Sequence, residues 1–255
     1  MNISIIQSGL AWENPEKNFR MFEKKIGEVA SGADIVVLPE MFTTGFSMNP
    51  DGIAPLHGVD TSDWMRSIAV EYKTAITGSY VAGQNGCYYN RMIFASPDGG
   101  LEYYDKRHLF RMADEDGHYT AGSRRVVVRY RGWRILLLIC YDLRFPVWSR
   151  NRNDYDLMVL VANFPERRQY AWNTLLPARA IENQCYVAAC NRVGADGNGI
   201  AHAGDSQIID PMGKIIALAK PNSEETISAP VSLGYLKSVR DSFPAHLDAD
   251  NFVIR

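Results

Sequence analysis

Hydrophobic positions along the chain recur with two different spacings, and together they predict alternating strands and helices. Between residues 14 and 30 the apolar residues fall on one face of a helix, at Phe19, Phe22, Ile26 and Val29. Asn14 and Pro15 suit the N-cap and the first position of that helix. Residues 34–38 are a compact apolar run, which is typical of a strand covered on both faces.

The same alternation continues along the rest of the chain. Helices are predicted over residues 61–72 and 171–184. Further strands are predicted over residues 3–7, 74–82, 87–95, 101–104, 126–130, 134–139, 157–161, 186–192, 206–210, 215–219 and 226–231. Because hairpins are mixed with helix-separated strands, we expect an α/β fold with a mixed sheet system and helices outside it. The sequence has no repeat or low-complexity linker, so we predict one domain over residues 1–255, with a C-terminal tail from about residue 238 that packs across the domain or a partner.

Composition and charge exclude several classes of protein. Hydrophobic residues make up 46% and charged residues 22% of the 255 residues, which is typical of an ordinary folded protein. The formal net charge of −2 lacks the basic field of a typical nucleic-acid binder. No apolar run is long enough to span a membrane, and the N-terminus does not resemble a signal peptide. We therefore expect a cytoplasmic protein with neither a nucleic-acid nor a membrane partner.

The four cysteines show no metal-binding or disulfide pattern. Cys87, Cys140, Cys185 and Cys190 form no CxxC pair and have no zinc-finger spacing. In a reducing cytosol we expect four free thiols, most of them serving as small buried apolar side chains. No metal or organic cofactor is predicted.

Three polar residues stand where predicted strands end. Glu40 follows an apolar strand and a proline, Cys140 ends the apolar run of residues 135–139, and Lys106 follows residues 101–104 closely. Ligands usually bind at the carboxyl ends of strands in α/β folds. Taken singly, each has an ordinary structural interpretation: a solvated acid, a buried thiol and an exposed cation.

Considered together, the three side chains suit nucleophilic catalysis. Cys140 supplies a thiol, which needs a base to become a good nucleophile. Glu40 is a candidate base, and Lys106 is a candidate donor to the oxyanion of a tetrahedral intermediate. His108 remains an alternative base in a Cys–His pair with Cys140.

The sequence around these residues resembles the nitrilase superfamily of carbon–nitrogen hydrolases over residues 3–231. The resemblance is carried by three motifs in order: Leu38-Pro39-Glu40-Met41-Phe42 with Thr44-Gly45-Phe46, then Tyr104-Asp105-Lys106-Arg107-His108-Leu109-Phe110, and Ile139-Cys140-Tyr141-Asp142-Leu143-Arg144-Phe145-Pro146. It implies Glu40 as general base, Lys106 as oxyanion stabiliser and Cys140 as nucleophile. It also implies a second glutamate, for which Glu115 is the candidate.

The resemblance further implies a fold and an assembly. The family fold is a four-layer α-β-β-α sandwich, and its members commonly form homodimers or larger homo-oligomers. By this resemblance, the helix after Cys140 and the helix over residues 171–184 face the dimer partner. The Tyr141 backbone N–H would share the oxyanion with Lys106.

Within the superfamily the chain looks most like the omega-amidases. The supporting segments are residues 140–146, 162–165 and 179–184. Such enzymes hydrolyse the terminal amide of 2-oxoglutaramate or 2-oxosuccinamate to the 2-oxo acid and ammonia. Arg144 is the candidate for the substrate carboxylate, because a guanidinium can bind it with two hydrogen bonds. Phe46, Phe164 and Trp172 are candidate walls of a small pocket.

Several alternatives remain open at this stage. Another amidase, a carbamoylase or a nitrile-cleaving enzyme of the same superfamily would use the same nucleophile. A non-catalytic binding protein that retains the fold would not need all three of Glu40, Lys106 and Cys140. A redox sensor built on Cys140 is disfavoured, since no resolving cysteine is close in sequence.

Overall fold

Two six-stranded mixed sheets face each other, and helices cover their outer sides. The computed structural model describes residues 1–53 and 60–253. Over these residues the strands are β1 (Asn2–Gln7), β2 (Ile35–Val37), β3 (Ala75–Gln84), β4 (Cys87–Ala95), β5 (Leu101–Asp105), β6 (Val127–Tyr130), β7 (Trp133–Ile139), β8 (Leu157–Ala162), β9 (Tyr186–Asn191), β10 (Val193–Ala195), β11 (Ala201–Ala203), β12 (Gln207–Ile209), β13 (Ile215–Leu218) and β14 (Glu225–Pro230). The helices are α1 (Pro15–Val29), α2 (Pro50–Ile53), α3 (Thr61–Tyr72), α4 (Glu115–His118), α5 (Pro146–Ser149), α6 (Gln169–Asn183) and α7 (Leu233–Ser242).

The two sheets have similar topologies. The first has the order β14-β1-β2-β3-β4-β5 and the second β13-β12-β9-β8-β7-β6, while β10 and β11 form a separate hairpin. In each sheet three neighbouring strands run parallel, β1-β2-β3 and β7-β8-β9, and the outer pairs are antiparallel. Helical crossovers join the parallel strands, because such strands need a long connection. In each sheet the carboxyl ends of the three parallel strands therefore lie at the same edge.

The buried side chains define four layers. Ile3, Ile5 and Val37 of the first sheet share a core with Leu136 and Leu138 of the second. Residues of α1 and α3 pack on the outer face of the first sheet, and α6 joins the core of the second sheet from outside. Each fully buried aliphatic side chain contributes roughly 1.5–3 kcal/mol to this packing. The arrangement confirms the predicted α-β-β-α sandwich.

Local sequence signals predicted the long elements well. Helix α3 spans Thr61–Tyr72, as predicted, and Asn14 caps α1 by accepting the Lys17 N–H at 3.0 Å. The hairpin of β10 and β11 and the short helices were missed. They lie in glycine-containing or polar segments too short to show a period.

The predicted C-terminal segment starts within a helix. Residue 238, near which the tail was predicted to begin, lies inside helix α7. Helix α7 packs across the domain: Arg240 donates to Asp156 Oδ1 at 2.9 Å and to the Tyr155 carbonyl at 2.8 Å. Residues 254–255 of the predicted tail lie outside the described residues. Over the described chain, none of the helices combines the length and apolarity required to cross a membrane.

Candidate active site

The three polar residues that follow predicted strands meet between the two sheets. Glu40 lies after β2 and Lys106 after β5 of the first sheet, and Cys140 lies after β7 of the second. Glu40 and Lys106 are fully buried, whereas Cys140 is half-buried. The site is therefore formed where the strand ends of two packed sheets converge.

A buried ion cluster lies at this point. Lys106 Nζ is 2.8 Å from Glu40 Oε1, 3.0 Å from Glu115 Oε1 and 2.9 Å from Glu115 Oε2. Glu115 opens helix α4 and is itself fully buried. Its neighbours Asp114 and Asp116 are exposed instead, so the structure selects Glu115 from the three adjacent acids. One ammonium thus serves two carboxylates.

Burial and the neighbouring charges shift the pKa values of Lys106, Glu115 and Cys140. Burial alone would lower the pKa of Lys106, but the carboxylates of Glu115 and Glu40 outweigh it and raise the pKa overall. Burial raises the pKa of Glu115, an effect that Lys106 opposes. Burial and the charge of Glu40 raise the pKa of the Cys140 thiol well above its ordinary value. These shifts favour the charged form of Lys106 and the protonated form of the Cys140 thiol, which interacts with Glu40.

Two asparagines complete the environment of Glu40, and the sequence analysis assigned neither of them a role. Asn90 Nδ2 donates to Glu40 Oε1 at 2.8 Å and to Glu115 Oε1 at 3.2 Å. The Asn163 backbone N–H donates to Glu40 Oε2 at 2.7 Å. Asn90 shares the inward face of β4 with Met92 and Phe94, so a polar residue in an apolar alternation was a signal for it. The Asn163 side chain contacts the same residue, since its Nδ2 donates to the Glu40 carbonyl at 2.5 Å.

The backbone at the thiol is strained. Cys140 has φ +44° and Met41, next to Glu40, has φ +43°. This left-handed region costs a residue other than glycine of the order of 1–3 kcal/mol. Cys140 opens a short 3₁₀ turn over Cys140–Arg144, in which the first N–H groups, that of Tyr141 among them, lack partners within the turn. The left-handed backbone at Cys140 therefore places the thiol at the N-terminal end of this turn.

A cavity of about 280 Å³ opens at Cys140. Its aromatic walls include Phe46 and Phe164, and Phe46 also lies with its ring centre 5.0 Å from Lys106 Nζ. Arg144 lines the cavity and stacks its guanidinium 5.8 Å from the Phe164 ring centre. Phe46, Phe164 and Arg144 thus lie where the sequence analysis expected pocket residues.

Comparison with known proteins decides the family. Residues 2–241 match the carbon–nitrogen hydrolase family model. The chain belongs to the carbon–nitrogen hydrolase family. It is an amidohydrolase of the nitrilase superfamily, as its motifs predicted.

Relatives of this carbon–nitrogen hydrolase cover nearly its full length. It is 49% identical to omega-amidase YafV of Escherichia coli, over 99% of this chain and 98% of that protein. It is 36% identical to 2-oxoglutaramate amidase of Bacillus subtilis, over 96% of each. A CN-hydrolase superfamily protein from Xanthomonas campestris has an arsenic adduct in the active site of its crystal structure. It is 43% identical with a TM-score of 0.96, covering 100% of this chain and 99% of that one.

One expectation about this carbon–nitrogen hydrolase needs correction. Trp172 does not line the cavity at Cys140: it is 1% exposed, lies behind Phe164 at 5.2 Å between ring centres, and donates its Nε1–H to the Asp205 carbonyl at 2.8 Å. Helix α6 presents this side chain to the core of the second sheet, because its large apolar surface is buried there.

The structure favours Glu40 over His108 as the base for Cys140, because the thiol interacts with Glu40 and His108 lines a neighbouring cavity. His108 Nδ1 lies 2.7 Å from Asp142 Oδ1, and its ring stacks on Phe145 with 3.7 Å between centres. Asp142 also accepts the Tyr104 hydroxyl at 2.6 Å. His108 therefore orders the loop after β5, while Glu40 is the base candidate that lies beside the thiol. In the part of the chain that the structure describes, no three acidic, histidine or cysteine side chains converge as a metal site.

Proposed function

We propose that this amidohydrolase cleaves the terminal amide of a small 2-oxo dicarboxylate monoamide, 2-oxoglutaramate or 2-oxosuccinamate, through a thioester on Cys140. One observation carries the chemistry: a buried lysine shared by two glutamates lines the same cavity as the Cys140 thiol. The names of two relatives, omega-amidase and 2-oxoglutaramate amidase, support the substrate class.

The first half-reaction forms the thioester. Glu40 takes the thiol proton as Cys140 attacks the amide carbon, since a thiol with a raised pKa needs a base to become a good nucleophile. Lys106 and the Tyr141 backbone N–H hold the oxyanion. Glu40 returns the proton to the amide nitrogen, the carbon–nitrogen bond breaks, and ammonia leaves.

The second half-reaction releases the acid. Glu40 takes a proton from water, which attacks the thioester carbon, and the oxyanion returns to Lys106 and Tyr141. The carbon–sulfur bond breaks and the thiolate regains a proton from Glu40. Glu115 keeps Lys106 charged and fixed during both steps, because it binds the ammonium with both oxygens.

The substrate class is tested with a panel of amides. The protein is assayed for ammonia release from 2-oxoglutaramate, 2-oxosuccinamate, an N-carbamoyl amino acid and a small nitrile. We expect the largest kcat/KM for the two 2-oxo amides. A preference for the carbamoyl compound or the nitrile would replace the proposed substrate while leaving the thiol chemistry in place.

Arg144→Ala is expected to weaken binding of anionic amides selectively. The guanidinium of Arg144 faces the cavity, and loss of a charge-assisted pair should raise KM for 2-oxoglutaramate by about 10- to 100-fold. Turnover of a neutral aliphatic amide should change little, and it serves as the internal control for folding. Equal losses on both substrates would contradict the assigned role.

Asn90→Leu is expected to lower kcat by about 10-fold or more, because both glutamates lose a shared donor. Asn151→Leu is a matched control. Asn151 is also a buried asparagine, but its side chain binds the Tyr155 and Asn183 carbonyls at 2.9 and 3.0 Å. Steady-state kinetics and thermal melts of both variants separate a loss of catalysis from a loss of stability. A similar fall in kcat for Asn151→Leu would indicate general destabilisation.

A further inference from the structure

The cavity beside Cys140 has more positive charge at its rim than its own acid neutralises. Arg144, Arg167 and Arg168 line it, and the acid that lines it in the described part of the chain is Asp196. Asp196 Oδ1 accepts the N–H groups two and four residues further on, each at 2.9 Å, which holds it in its own turn. No carboxylate among the described residues forms an ion pair with Arg144 or Arg168. Such a site attracts an anion.

Arg168 is held in place by two contacts, and neither gives its guanidinium an oxygen acceptor. Its guanidinium stacks 4.8 Å from the Phe110 ring centre, and its Nη2 lies 3.0 Å from Met112 Sδ. A thioether is a weak acceptor, whereas a guanidinium presents five N–H donors. Burial lowers the pKa of Arg168, and the charges of Arg167 and Arg144 lower it further. A bound anion would relieve this repulsion.

We propose that Arg168 and Arg144 together bind the substrate carboxylate, each donating to it from a different loop. This inference rests on the proposed function, since it names the second residue that binds the anionic end of the amide. Arg144 is supported by Phe164 after β8, and Arg168 by Phe110 after β5. A carboxylate has about four acceptor positions, enough for two guanidinium groups.

The support of Arg168 is connected to the buried ion cluster. The Phe110 backbone N–H donates to Glu115 Oε2 at 2.6 Å, and Glu115 binds Lys106. The ring under Arg168 is therefore held in fixed relation to the groups beside Cys140. Two anchored guanidinium groups at a fixed distance from the thiol favour amides whose carboxylate lies a set number of carbons from the amide. Arg168 is accordingly a specificity residue for monoamides of short dicarboxylic acids.

The test compares two amides of equal carbon number, anionic glutaric acid monoamide and neutral pentanamide, by ammonia release. Arg168→Gln should lower kcat/KM for the anionic amide by about 10- to 100-fold, mainly through KM, and leave pentanamide within about two-fold. Arg168→Lys keeps the charge and should recover part of the loss. Arg152→Gln is the matched control, because Arg152 is an exposed arginine that also stacks on a phenylalanine, at 4.5 Å from the Phe252 ring centre. Arg152→Gln should leave kcat/KM for both amides unchanged.

The double variant Arg144→Ala/Arg168→Gln tests whether both arginines bind the same carboxylate. Because both residues bind one carboxylate, the combined loss should be smaller than the product of the single losses. Three results would each overturn the inference while the proposed function stands. They are an unchanged kcat/KM for the anionic amide in Arg168→Gln, equal losses of kcat/KM on both amides, and strictly multiplicative losses in the double variant. A wild-type protein that prefers pentanamide, or hydrolyses neither amide nor 2-oxoglutaramate, would overturn the proposed function itself.

Discussion

Cys140→Ala is expected to reduce ammonia release from 2-oxoglutaramate by roughly 10⁴- to 10⁶-fold, the range seen when a nucleophile that acts with its base is removed. The thiol is the atom that forms the proposed covalent intermediate, so neither Glu40 nor Lys106 can replace it. The change removes one sulfur from a half-buried position, and the fold should persist. Ammonia release and a thermal melt measure the two effects separately.

The covalent step is examined directly by mass spectrometry. Cys87 is exposed, whereas Cys185 and Cys190 are buried, so the Cys87→Ala background leaves Cys140 as the accessible thiol. In that background, acid quenching during turnover should reveal a mass increase of one acyl group on the peptide that contains Cys140. Cys87→Ala alone should keep full activity. Turnover by Cys140→Ala within about ten-fold of wild type would refute the nucleophile assignment.

Lys106→Met is expected to lower both activity and stability. Loss of one oxyanion donor should reduce kcat by about 10²- to 10³-fold. Removal of the ammonium leaves Glu40 and Glu115 buried without their cation, and breaking a buried pair from one side costs about 3–5 kcal/mol in the free energy of unfolding. Lys25→Met, which breaks the partly exposed pair with Glu224, should cost at most about 1 kcal/mol.

The loss of stability caused by Lys106→Met is expected to depend on pH in one direction. Burial already raises the pKa of Glu115, and loss of Lys106, which opposes that rise, raises it further. A carboxyl with a folded-state pKa above its unfolded value binds its proton more tightly in the native state. The stability deficit should therefore be largest at neutral and higher pH and shrink as the pH falls through the folded-state pKa.

A second substitution separates the two losses of Lys106→Met. Lys106→Met/Glu115→Gln should regain part of the stability at neutral pH without regaining activity, because it removes one unpaired charge but restores no oxyanion donor. Denaturant unfolding at several pH values provides the measurement. A deficit that grew towards acid pH would show that Glu115 is not the group left unpaired.

The types of residue and their order along the chain predicted most of the candidate catalytic residues. Glu40 and Cys140 each follow an apolar strand, and a change from apolar to polar residues at a strand end is visible along the chain. Lys106 follows the mixed strand β5 and was identified through its motif. Glu115 was harder to assign, since Asp114 and Asp116 offer the same charge. Burial of Glu115 against Lys106 distinguished it, and burial depends on how helix α4 packs.

Trp172, His108 and Asn90 show where local patterns do not suffice. Trp172 and Phe164 lie close in sequence and touch each other, yet Phe164 faces the cavity and Trp172 faces the core. His108 follows Lys106 by two residues, but its partner is Asp142, 34 residues away. Asn90 acquires its role from Glu40, 50 residues away. Each role depends on a partner from another strand or loop.

The sequence by itself therefore determined, from periodicity, a mixed α/β fold with its long helices and strands. Its short motifs, through their resemblance to the nitrilase superfamily, implied the four-layer sandwich and the nucleophile, base and lysine candidates. Tertiary structure alone decided that one buried ammonium serves two carboxylates, that burial and Glu40 raise the pKa of the Cys140 thiol, and that Arg168 lines the cavity without a carboxylate partner among the described residues. Distances between separate strands and the loss of water around charges set those properties, and neither is written in the local order of residues.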